Sequence, residues 1–184
     1  MLKIKTLIIS LSFLTISSAV IANEVNVDKY AHFDKSTKIK QLTPLEYKVT
    51  QKGGTEPPFH NTYWNNEKPG IYVDIVSGEP LFDSTDKYDS GSGWPAFTKP
   101  IDDHFVALKK NTFFFRKTIE VRSRYADSHL GDLFDDGPPP SGKRYCIDSA
   151  ALRFIPVSEL DKEGYGQYLY LFKDKKALSV GGKS

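Results

Sequence analysis

The sequence predicts a mainly β domain of antiparallel strands, on three observations. Apolar residues alternate with others in short runs, as Ile71, Val73 and Ile75 do against Tyr72, Asp74 and Val76. Those runs are separated by Gly- and Pro-bearing turns, such as Ser77-Gly78-Glu79-Pro80 and the stretch Asp135-Asp136-Gly137-Pro138-Pro139-Pro140-Ser141-Gly142. Helix signals are few, and many short strands with few helices mean a largely antiparallel β architecture. At 184 residues with 39% apolar and 13% aromatic content, the chain carries one ordinary core and some appendages.

In chain order, Lys3 and Lys5 precede an apolar run from Leu7 to Ile16, and small residues lead to Ala22. That pattern is a secretory signal peptide over 1–22, too short in its core for a comfortable membrane span. Export to the periplasm or the medium is expected, with no membrane association once the signal is removed. Residues 23–41 are polar and lysine-rich and read as a linker or loosely docked arm. Thr43-Pro44-Leu45-Glu46 is a capping box with proline at the first helical position. It opens a helix over 44–51, closed by Gly53-Gly54.

Residues 55–65 read as a loop with one helical turn. The strand around Ile71–Ile75 is followed by a return strand starting at Leu81-Phe82. A glycine-rich loop over 89–97 carries Trp94. Strands are expected over 105–108, 112–122 and 143–148, with a rigid proline loop at 135–142. A brief helix or turn at 158–163 precedes a last strand at 168–172, and a polar tail occupies 173–184.

The chemistry centres on Cys146, the chain's one cysteine, which excludes an internal disulfide and a thiolate-rich zinc site. The four histidines do not cluster in sequence, and a formal charge of +2 gives no nucleic-acid signal. On a strand, Arg144, Cys146 and Asp148 share one face, while Tyr145 and Ile147 take the other. A buried small hydrophobe is the bland reading of a lone cysteine. The charged neighbours favour a reactive thiol, because a cation stabilises the thiolate. His129 and the arginines Arg144 and Arg153 are its candidate partners.

Six motifs then become recognisable: Gly54-Thr-Glu-Pro-Pro-Phe59, Gly70-Ile-Tyr-Val-Asp-Ile-Val-Ser-Gly78, Ser90-Gly-Ser-Gly-Trp-Pro-Ala-Phe97, Ala126-Asp-Ser-His-Leu-Gly131, Arg144-Tyr-Cys-Ile147 and Arg153-Phe-Ile-Pro156. In this order they closely resemble the B-type peptide methionine-(R)-sulfoxide reductases, over a catalytic domain spanning 42–172. The resemblance implies two antiparallel sheets with a few short peripheral helices. It implies reduction of methionine-R-sulfoxide, free or in proteins, to methionine, leaving Cys146 as a sulfenic acid. Trp94 would face the substrate methyl, His129 would polarise or protonate the oxygen, and Arg144 would favour the thiolate. Methionine-sulfoxide-containing proteins are the implied partners, and a monomer with no bound cofactor is expected.

The sequence departs from the resembled pattern in three places. The family's resolving cysteine position is Ser92, so an external thiol, from a thioredoxin-like protein or a small molecule, must reduce the sulfenic acid. The zinc-carrying members' paired cysteines correspond to Asp74 with Ser77 and Ser123 with Ala126, so no zinc is expected. Asp132 replaces a second active-site histidine, and Asp148 replaces an asparagine that helps bind substrate. An anion about 4 Å from the thiol raises its pKa, by on the order of 4 kcal/mol before screening at an effective dielectric of about 20. A protonated carboxyl could instead serve as the acid, and Asp132 is expected in that role with an optimum at lower pH. Two other readings stand beside this one. One is a catalytically weakened or non-catalytic binding module on the same fold. The other is a serine hydrolase using Ser92, His129 and an aspartate, which lacks a nucleophile-elbow context.

Overall fold

The computed structural model describes residues 28–113 and 116–173. The expected signal peptide and most of the expected tail lie outside them. Three helices come first: α1 (Asp28–Ala31), α2 (Lys35–Lys40) and α3 (Pro44–Lys52). Thr43 and Glu46 form the reciprocal capping box of α3, and Gly53 closes it at φ 64°, in the left-handed region. The strands are β1 (Gly70–Asp74), β2 (Pro80–Asp83), β3 (Lys87–Tyr88), β4 (Ala96–Phe97), β5 (Val106–Phe113), β6 (Arg116–Ser123), β7 (His129–Phe134), β8 (Arg144–Ile147) and β9 (Leu152–Pro156). They form a sheet of order β2-β1-β9 and a larger one of order β3-β4-β8-β7-β6-β5, with antiparallel pairing throughout.

Aromatic side chains weld the two sheets. Phe82 of β2 stacks on Phe97 of β4 with centroids 4.5 Å apart, and Tyr72 of β1 meets Phe97 edge-on at 5.2 Å. Tyr145 of β8 reaches Phe82 at 5.7 Å. Its strand alternates as predicted: Tyr145 and Ile147 are buried in this core, and Arg144 and Cys146 are half-buried on the other face.

Four expectations need correction. The described part of the arm, from Asp28, is helical and docked. Tyr30 is 2% exposed and packs edge-on against Phe105 at 5.6 Å, and Asp34 caps α2. One apolar anchor outweighs the polar surroundings that suggested a linker. Residues 55–65 form turns and bends without a helix. The strands expected at 105–108 and 112–122 are in fact β5 and β6, which pair from Val106 opposite Ser123 to Phe113 opposite Arg116. Lys109-Lys110 falls between the two expected strands, but it lies on an exposed edge strand, where lysines discourage pairing with other chains. The expected last strand is a 3-10 helix, Gly166–Phe172. Tyr165 and Tyr168 are both buried, a spacing of three rather than two.

Candidate active site

β8 carries Cys146 between two neighbours in register. Ala96 of β4 lies opposite it on one flank and Asp132 of β7 on the other. Phe134 likewise lies opposite Arg144, so β7 and β8 present Asp132, Phe134, Arg144 and Cys146 on one face. This packing depends on Gly131, at φ 150°. A Cβ there would overlap the Cys146 carbonyl oxygen.

The sulfur opens on a cleft of about 160 Å³ walled by Thr55, Trp94, Asp132, Phe134, Cys146 and Asp148. The indole of Trp94 is fixed by its Nε1–H, which donates to the Glu56 carbonyl at 3.0 Å. The Glu56 N–H donates to Asp148 Oδ1 at 3.0 Å. The Glu56 carboxylate accepts the N–H groups of Ser149 and Ala150. Glu56 therefore holds both the indole and Asp148. Its motif was visible in the sequence, but nothing local signals that role, which depends on contacts some ninety residues away.

His129 lies behind the cleft rather than on its wall. It is 7% exposed, its Nδ1 bonds Glu120 Oε1 at 2.8 Å, and its Nε2 is 4.0 Å from Asp148 Oδ2. Glu120 also takes Arg122, which in turn pairs with Asp127 at 2.6 Å. Sequence reasoning gave Glu120 no function. Arg153 is not part of the site: it pairs with Glu163 at 3.1 Å.

Burial is the first influence on the thiol and pushes its pKa up. Ser92, whose Oγ lies 3.8 Å from Sγ, and Arg144 pull it down, while Asp148 and Asp132 push it up. The net direction is upward, so the expected thiolate stabilisation by Arg144 is outweighed. The guanidinium is engaged elsewhere: it grips Asp136 through two bonds of 2.7 and 2.8 Å and lies 4.2 Å from the Phe134 ring centroid. Burial first, then the charges of Glu56 and Asp132, carry Asp148 to about 7 against the hydrogen bond from Glu56. Burial likewise raises Asp132, with His129 opposing and Glu120 assisting. The cleft thus combines a sulfur, an aromatic wall and two carboxyls whose pKa values are raised, that of Asp148 to about 7.

Ser92 bonds Ser90 at 2.8 Å and touches the sulfur, while His129 faces Glu120 and Asp148. A serine–histidine pair is therefore not assembled. The two turns expected to lack zinc ligands do come together. Asp74 Oδ1 accepts the N–H groups of Val76 and Ser77 at 2.7 Å, and Glu79 accepts those of Tyr125 and Ala126. Carboxylates and hydroxyls without thiolate or imidazole do not suit structural zinc. Among the described residues, no group of three or more His, Cys, Asp or Glu side chains is placed to hold a metal ion.

Residues 42–156 match the SelR domain family. The chain belongs to that family. This is the B-type methionine sulfoxide reductase family that the six motifs resemble. Peptide methionine sulfoxide reductase MsrA/MsrB of Vibrio cholerae serotype O1 is 56% identical over 150 residues, covering 82% of this chain. The aligned stretch is 40% of that relative, so the chain spans well under half its length. The two-sheet architecture is the one expected of a SelR domain.

Proposed function

We propose that this chain reduces methionine-R-sulfoxide, free or within proteins, to methionine through its single thiol. The observation that carries this reading is Cys146 facing a small aromatic-walled cleft together with two carboxyls of raised pKa. In this reading Trp94 and Phe134 receive the methyl and methylene groups beside the sulfoxide. The Cys146 thiolate bonds to the sulfoxide sulfur while Asp132, directly across from it in the sheet, protonates the oxygen. That hydroxyl then passes to the Cys146 sulfur as its bond to the methionine sulfur and the new S–S bond break. Methionine leaves, and the oxygen remains on Cys146 as a sulfenic acid: one thiol and one sulfoxide become one sulfenic acid and one thioether.

Asp148 sets the pH range. Once ionised it adds a second negative charge beside the thiol, so turnover favours the acid side of neutrality. His129 acts through Asp148 as a positioning group, oriented by Glu120 on its other nitrogen. With one cysteine in the chain, an external thiol closes the cycle. The basic and apolar leader supports export. In this reading the chain is a monomer that repairs oxidised proteins outside the cytoplasm and is recycled by a thioredoxin-like reductant.

The test is a single-turnover reaction with the separated R and S epimers of a methionine sulfoxide peptide, run across pH with the unaltered chain and Cys146→Ser. One methionine per thiol is expected from the R epimer, and none from the S epimer or the variant. Neither methionine nor oxidised Cys146 in the R reaction would remove the reading. A second reading, binding without turnover, is favoured by the upward shift of the thiol and by Asp136 occupying Arg144. It predicts that Cys146→Ser and the unaltered chain bind the R peptide equally while neither converts it.

A further inference from the structure

Two buried carboxyls outside the cleft, Asp74 and Glu79, have no part in its chemistry. They are 1% and 0% exposed, and among the described residues neither has an ion pair. Asp74 ends β1 and Glu79 precedes β2, so both belong to the turn of the smaller sheet. Asp74 Oδ1 accepts the N–H groups of Val76 and Ser77 within that turn, both at 2.7 Å. Glu79 reaches across to the turn between β6 and β7, in the larger sheet. Its Oε1 accepts the N–H groups of Tyr125 at 3.1 Å and Ala126 at 3.4 Å. One carboxyl thus ties a turn of one sheet to a turn of the other.

The hydroxyl between the two acids requires a proton on the pair. Ser77 Oγ lies 3.2 Å from Asp74 Oδ1 and 3.3 Å from Glu79 Oε1, and it accepts the Glu79 N–H at 3.2 Å. A hydroxyl has one hydrogen to donate. With both carboxyls ionised, one of its two contacts would set lone pair against lone pair, beside two buried charges without a counter-ion. A proton on one carboxyl removes both faults: that carboxyl donates to Ser77 Oγ, whose own hydrogen goes to the other acid. The short N–H bonds to Asp74 Oδ1 favour the anion there. A proton on Glu79 Oε1 leaves Oε2 to accept from Tyr125 at 3.2 Å. Burial and then the charge of Asp74 carry Glu79 to about 7.

The surroundings supply no counter-charge. Arg124 donates to the carbonyls of His104 and Val106, Asp127 pairs with Arg122, and Arg153 of β9 pairs with Glu163. From α1 comes the neutral phenol of Tyr30, and Tyr165 gives its hydroxyl to the Gly78 carbonyl at 2.7 Å. Asp74 Oδ2 and Ser128 Oγ are buried without a hydrogen bond, so no donor compensates a second negative charge. We propose that Asp74 and Glu79 form a proton-operated clasp between the two sheets, which holds the 123–128 turn while the pair carries one proton and releases it when that proton is lost. The turn runs directly into β7, so the clasp governs how firmly the strand bearing His129 and Asp132 is anchored.

The sign follows from linkage. In the released turn Glu79 is hydrated and titrates near its ordinary 4.5, whereas in the closed clasp it titrates at about 7. Release is therefore least below about pH 4.5, grows about tenfold per pH unit up to 7, and is level above 7. The experiment follows hydrogen exchange of the Tyr125 and Ala126 amides by NMR on the full chain, corrected for intrinsic exchange, at pH 5 and pH 7. It uses no substrate and stands apart from the function proposed above. Opening is expected to be about a hundredfold greater at pH 7 than at pH 5. Glu79→Gln keeps an oxygen acceptor and cannot ionise, so its opening should be the same at both pH values. Asp148→Asn, which leaves the clasp intact, should keep the rise. Asp74→Asn covers the case in which Glu79→Gln fails to fold, and removal of the neighbouring charge should cut the rise to about tenfold. Equal protection of these amides at both pH values in the unaltered chain overturns the clasp, as does an undiminished rise in Glu79→Gln or Asp74→Asn.

Discussion

Asp148→Asn tests the electrostatics of the site most directly. Asparagine keeps an oxygen to accept the Glu56 N–H, now 3.0 Å from Asp148 Oδ1, and removes only the ability to ionise. The folded carboxyl titrates at about 7 against an ordinary 3.8. A raised folded pKa means that folding holds the proton. The penalty is absent below about pH 4, develops between 4 and 7, and is complete above 7. About three units at 1.36 kcal/mol each set a ceiling of about 4 kcal/mol, and sharing of the proton with neighbouring carboxyls reduces the expected gain to about 2. Urea unfolding should therefore show Asp148→Asn more stable than the unaltered chain by about 2 kcal/mol at pH 8 and nearly equal to it at pH 4. The thiol should also ionise at lower pH, since one repelling charge is gone, and iodoacetamide alkylation reads that shift. An equal gain at both pH values, or a loss at pH 8, refutes the reasoning.

Four further outcomes follow from the site. Asp132→Asn should lower the single-turnover rate by about a hundredfold with little change in substrate affinity, as loss of a general acid does; an unchanged or faster rate assigns the acid elsewhere. Trp94→Ala should weaken binding of R-sulfoxide peptides by roughly ten- to a hundredfold, measured by calorimetry on the Cys146→Ser background, because it deletes a large aromatic wall. Ser92→Cys puts a second sulfur where an oxygen now sits 3.8 Å from Sγ, and after one turnover mass spectrometry should find an internal disulfide and no free thiol. Gly131→Ala should destabilise the domain by about 3 kcal/mol or more in urea, and slow alkylation of Cys146, because the added methyl meets the Cys146 carbonyl.

Much of the site was legible from local rules. Alternation on β8 separated Cys146 and Arg144 from the core-facing Tyr145 and Ile147, because a strand has only two faces. The motif resemblance pointed to Trp94, Asp132 and Asp148, and all three line one cleft with the sulfur. His129 was legible as a residue but not as a place: its ring is turned inward to Glu120, and only the pairing of β6 with β7 brings those two together. Glu56 was in a motif without a task, because its partners belong to the far end of the chain.

By itself the sequence determined the fold class, the helix α3 and the single sulfur, since each follows from residue type and near-neighbour spacing. Tertiary structure alone decided the charge balance at that sulfur. Arg144 is sequence-adjacent and cationic, yet Asp136 and Phe134 engage it from across the loop, and burial outweighs its pull on the thiol. Ionisation depends on desolvation and on charges gathered from several strands, and neither is a property of a segment. The same holds for the arm: one tyrosine docked beside Phe105 turned an apparent linker into part of the domain, and its pocket exists only once the chain has folded.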